Sequence, residues 1–98
     1  MFFRVDNGVT PPERVDDFVA FVRDTILPDV RRCRGYRSLT VSVDRTAGAV
    51  SVATAWVTAA DRDAAAPAFG PVLQHAGDFG LRPVRIDLHE QLLSDVRS

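Results

Sequence analysis

Lysine is absent: all 12 basic side chains are arginine, and glutamate occurs only at Glu13 and Glu90. The net charge of -1 lacks the basic surplus that broad attraction to nucleic acid or to an anionic membrane requires, which argues against those partners and leaves room only for a local patch. Cysteine is confined to Cys33, so no internal disulfide forms and no Cys/His set at zinc-finger spacing exists. A reducing cytoplasm is the expected setting. No apolar run approaches the roughly 18 residues of a membrane span. The first apolar stretch is broken by Arg4 and Asp6, so it reads as a strand and not as the core of a signal peptide. A chain of 98 residues suffices for one domain, residues 1–98, and any large pocket in it is expected to be shared.

What is present is period. From Phe2 to Val9 the side chains alternate, with Phe3, Val5, Asn7 and Val9 on one face and Phe2, Arg4, Asp6 and Gly8 on the other. Thr10-Pro11-Pro12-Glu13 predicts a capped helix start. Val15, Phe18, Val19, Val22, Ile26 and Val30 follow at helical spacing, with a bend or break expected at Pro28 and an end at Gly35. Tyr36 to Asp44 and Val50 to Thr58 alternate again around Thr46-Ala47-Gly48-Ala49, which predicts a hairpin. Thr58-Ala59-Ala60-Asp61 opens a second helical region, expected as two short pieces because Pro67, Gly70 and Pro71 interrupt it. Leu81 to Leu92 predicts a last strand, with Val84, Ile86 and Leu88 opposed to Arg85, Asp87 and His89.

The order β, α, β, β, α, β is that of an α+β, ferredoxin-like domain with a four-stranded antiparallel sheet, strand one lying between strands three and four. Helices on one side leave the other side of the sheet bare. Phe2, Arg4 and Asp6 are expected there with Arg85, Asp87 and His89, Arg4 and Asp6 pairing across the strands with Asp87 and Arg85. So mixed a face predicts a homodimer closed sheet against sheet, a dimeric α+β barrel.

Three phrases carry a family resemblance: Gly35-Tyr36-Arg37-Ser38-Leu39, Val43-Asp44-Arg45 and Thr54-Ala55-Trp56-Val57-Thr58. With the element order, they make the chain similar to the antibiotic biosynthesis monooxygenase superfamily. The resemblance implies a homodimer with a site between sheet and helices. It also implies a cofactor-independent oxygenase, or a related enzyme, acting on an aromatic, polyketide-like small molecule. Asn7 and the stretch Gly70-Pro71-Val72-Leu73-Gln74-His75-Ala76-Gly77 are similar to the haem-degrading branch, which places an asparagine and an axial histidine in corresponding positions. That branch carries a tryptophan on the second helix where this chain has Ala64, Ala65, Ala66 and Pro67.

The expected catalytic residues are therefore Asn7, Trp56 and His75, with Tyr36, Phe3 and Val5 binding substrate and no metal. Each has a plainer reading. Asn7-Gly8 is a turn signal, Trp56 a large core side chain, and His75 a helix-end histidine. Tyr36 is equally suited to a dimer contact. His89, Arg85 and Asp87 read as a structural ion network, and Cys33 as a small buried hydrophobe. The alternative function is a non-catalytic dimeric module that holds a hydrophobic small molecule or haem.

Overall fold

The computed structural model describes residues 1–97; Ser98, the last residue of the expected domain, lies outside the described residues. Strands β1 (Phe2–Val9), β2 (Tyr36–Asp44), β3 (Ala49–Trp56) and β4 (Arg82–Glu90) form one antiparallel sheet in the order β2-β3-β1-β4. This is the expected ferredoxin-like arrangement, with β1 between β3 and β4. Helical segments cover a single side. Helices α1 (Val15–Phe21) and α2 (Leu27–Arg31) follow β1, while α3 (Ala59–Ala64) and α4 (Gly70–Gln74) precede β4. None of these helices is long and apolar enough to cross a membrane.

The core is the helical stripe Phe18, Val22, Ile26 and Val30 set against Val50, Val52 and Trp56 of β3, with Phe69 and Leu81 closing it. Spacing at four residues places the first set on one side of the helix, and alternation places the second on one side of the strand.

Local details depart from the sequence reading. Thr10 does not cap the first helix: its hydroxyl donates to the Phe79 carbonyl, and Pro11 precedes a 3-10 turn at Pro12–Arg14 with no side-chain cap. Pro28 lies in the first turn of a short second helical piece, as expected, although the helical path is continuous into it. A π turn at Val22–Ile26, closed by the Leu27 amide on the Val22 carbonyl, inserts a residue just ahead of the proline and carries the helical path through it. Thr58 does cap, its Oγ1 accepting from the Asp61 amide at 3.0 Å. The second helical region forms four short pieces, with 3-10 turns at Ala66–Phe69 and Ala76–Phe79 alternating with α3 and α4.

Gly48 in the β2–β3 turn has φ +72°, and a Cβ there would stand 1.9 Å from the Thr10 carbonyl oxygen. That carbonyl belongs to the strand exit, since the Thr10 amide donates to Gly48 O at 2.8 Å. Gly8 occupies a bulge where β1 shifts register against β4, and its missing side chain admits Leu81.

Candidate functional site

Register decides which side chains meet the helices. Arg4 lies opposite Thr54, Asp6 opposite Val52 and Gly8 opposite Val50. Directly opposed residues share a face, so Arg4, Asp6 and Gly8 face the helices together with the core side of β3. Phe3, Val5 and Asn7 lie opposite Ala55, Ala53 and Ser51 on the outer face, and opposite His89, Asp87 and Arg85 of β4. The sequence reading grouped these residues correctly but assigned the two faces of β1 the wrong way round. Arg4 and Asp6 therefore do not pair with Asp87 and Arg85.

On the inner side a cavity of about 370 Å³ opens between sheet and helices. Its helical wall is Phe18, Val22, Ile26, Phe69 and Val72; its sheet wall is Val50, Val52 and the pair Arg4 and Asp6. Val84 and Ile86 of β4 also line it and are more than half exposed, so the mouth runs along the β4 edge. The walls are largely apolar; Asn7 and Arg85 also border the cavity, and one charged pair is built into the sheet wall. Arg4 Nε and Nη2 donate to Asp6 Oδ2 and Oδ1, each at 3.0 Å. The Arg4 guanidinium carbon stands 4.3 Å from the centre of the Phe69 ring. Stacking on the ring and a two-pronged carboxylate contact hold the guanidinium in one plane. Alternation puts residues two apart on one face, which is why Arg4 and Asp6 meet.

The expected site residues do not converge. Trp56 is fully buried in the core, its Nε1 donating to Thr54 Oγ1 at 2.9 Å and its ring set edge-on to Tyr36. Neither lines the cavity. Phe3 and Val5 are on the outer face. Asn7 borders the cavity, but its side chain belongs to a network on the outer face. Nδ2 donates to Asp87 Oδ2 at 3.0 Å, and Oδ1 accepts from Ser51 Oγ at 2.8 Å. Arg85 Nε also donates to Asp87 at 2.9 Å. That arginine, through its hydrogen bond above all, holds the Asp87 carboxyl below the usual aspartate range, with the His89 charge and the Asn7 amide acting the same way.

His75 lies just after α4 with its side chain half exposed, its Nδ1 3.1 Å from Asp78 Oδ2 and its ring tilted against Phe21. It does not line the cavity either, and the walls contain no histidine, cysteine, methionine or tyrosine to ligate a haem iron. The lining does not fit an axially held haem. Among the described residues no three His, Cys, Asp or Glu side chains gather to hold a metal ion. Cys33 is half-buried, with its thiol against the Asp29 carbonyl.

The residues that sequence reading missed are Arg4, Asp6 and Phe69. The available signal was two opposite charges two apart in a strand. It points inward only once the register with β3 is known.

No family model matches the sequence, and no curated protein matches it. Solved structures do. A candidate antibiotic biosynthesis monooxygenase of Deinococcus radiodurans superposes with a TM-score of 0.78 at 12% identity, over 100% of this chain and 99% of that one. HapK from Hahella chejuensis gives 0.75 at 15% identity, over 100% and 99%. A dimeric ferredoxin-like protein from an uncultured marine organism gives 0.73 at 9% identity, over 98% of both chains. Identities this low speak for the backbone alone. The chain has the ferredoxin-like α+β fold of solved antibiotic biosynthesis monooxygenases.

Proposed function

We propose that this chain is a homodimeric small-molecule enzyme of the oxygenase type, taking a flat, largely apolar aromatic molecule between sheet and helices. The observation that carries the proposal is the cavity itself: largely apolar, open on one edge, bordered by Asn7 and Arg85, with the Arg4–Asp6 pair held inside. Binding sites for small ligands typically combine apolar walls with a few placed polar groups. Antibiotic biosynthesis monooxygenases among the solved structures of the same fold support the choice of reaction.

The walls hold the substrate in position and exclude water; dioxygen is the oxidant. For a methylene between aromatic rings, the carbon loses two hydrogens and gains one oxygen atom, and the second oxygen leaves with those hydrogens as water. The helix-free face of the sheet supports the homodimer. It carries Phe3, Val5 and Ala53 around the Asn7–Asp87 network, while the core lies on the other side.

Oxygen consumption by the purified protein with an anthrone tests the reaction. One O2 consumed per 9,10-quinone formed, without hydrogen peroxide, supports it, and no uptake above the protein-free rate sinks it. One observation favours a second reading, a binding module without turnover: among the described residues Asp6 is the one carboxylate lining the cavity, and Arg4 already engages both its oxygens. In that case an aromatic ligand is recovered unchanged from the aerobic complex.

A further inference from the structure

We propose that Arg4 and Asp6 are the specificity-determining edge of this cavity, selecting a planar ligand that sets an N–H or O–H donor beside a carbonyl oxygen. The inference rests on the reading of the cavity as a small-molecule site.

A guanidinium has five N–H donors, of which Arg4 spends two on Asp6. Nη1 has no hydrogen-bond partner in the described structure, yet no side-chain nitrogen or oxygen is both sealed from solvent and unpaired, so Nη1 remains reachable. Each Asp6 oxygen accepts one bond from Arg4 and keeps a free lone pair. The second N–H of Nη2, on a nitrogen 3.0 Å from Asp6 Oδ1, thus puts a donor beside an acceptor on residues that line the cavity.

They are also held still. Both lie on a central strand, and the Phe69 ring covers the guanidinium. Their side chains are only 12% and 21% exposed. Ion pairs so placed add little net stability, because the loss of hydration offsets the attraction, and apolar residues of similar volume serve a fold as well or better. What the pair offers that apolar residues cannot is a paired hydrogen-bonding edge.

Charge selects among ligands. The pair is neutral as a whole, so an anion drawn to Nη1 would also meet the Asp6 carboxylate. A neutral ligand with donor and acceptor adjacent satisfies both.

The test compares quinolin-2(1H)-one, whose ring N–H lies beside its carbonyl, with its N-methyl derivative, by direct titration into the purified protein. Losing a hydrogen bond to a charged group lowers affinity roughly ten- to hundredfold, so the wild type should prefer the parent compound by that factor. The double variant Arg4→Met with Asp6→Leu, which leaves no unpaired charge behind, should abolish the preference. Equal binding of the two compounds by the wild type overturns the inference, whatever the fate of the variant. So does a preference that survives in the double variant. If neither compound nor any other planar aromatic binds, the cavity reading falls too, and that result is distinct from a lost preference.

Discussion

Asn7 Nδ2 donates to Asp87 Oδ2 at 3.0 Å, joining β1 to β4 on the side of the sheet away from the helices. Arg85 donates to the same carboxylate oxygen, so a neutral amide and a guanidinium converge on one acceptor. Because the folded-state pKa of Asp87 is lowered, its contribution is present above the unfolded value and is lost as pH falls through the folded value. Acid titration of stability below about pH 4 should therefore be shallower in Asp87→Asn than in the wild type. An unchanged acid limb, measured by urea denaturation at a series of pH values, refutes the linkage.

Trp56 is a structural residue by its contacts. Trp56→Phe keeps an aromatic ring but removes the Nε1 donor to Thr54 and part of the indole volume. A loss of about 1–3 kcal/mol is expected from the missing bond and the residual gap. In a domain of this size that lowers Tm by several degrees. Aromatic-ligand affinity should stay within a few-fold, and calorimetry with a parallel binding titration checks both.

His75 is half exposed, with Nδ1 against Asp78 and its ring tilted on Phe21. His75→Ala should change stability by less than about 0.5 kcal/mol, as surface ion pairs do. Ligand binding in the cavity should be unaffected; a tenfold weaker complex in titration would show that the segment after α4 reaches the site.

The hairpin turn admits no side chain at Gly48. Gly48→Ala meets the Thr10 carbonyl and a positive φ together, so a cost above about 1 kcal/mol is expected. Gly77→Ala is the control, since a Cβ there meets nothing within 4 Å. Equal midpoints for the two variants in denaturant would contradict the close approach.

If the outer face of the sheet joins two copies, a long charge in its middle should separate them. Ala53 lies there, opposite Val5 and Thr40 on the neighbouring strands. Ala53→Arg should shift the sedimentation coefficient from dimer to monomer with the far-ultraviolet spectrum preserved, whereas a wild type that already sediments as a monomer refutes the proposed assembly.

Much of the fold was legible because its signals are local. Alternation marks β2, β3 and both faces of β4, helical spacing marks the stripe from Val15 to Val30, and Thr58 caps as its position suggests. Thr10 misled because the oxygen it meets, on Phe79, is 69 residues away. Pro28 marked the short second helical piece, but nothing local announced the π turn that precedes it.

The candidate site was not legible, for a reason confined to β1. Each of its faces mixes apolar and polar groups, Phe3, Val5 and Asn7 against Phe2, Arg4 and Asp6, so hydrophobicity alone does not say which one the helices cover. The sequence by itself determined that β1 is a strand and which residues share a face. Only the tertiary structure decided that Arg4 and Asp6 turn inward. Pairing Arg4 with Thr54 and Asp6 with Val52 ties that face to the buried side of β3, and a period of two then commits every other side chain of the strand.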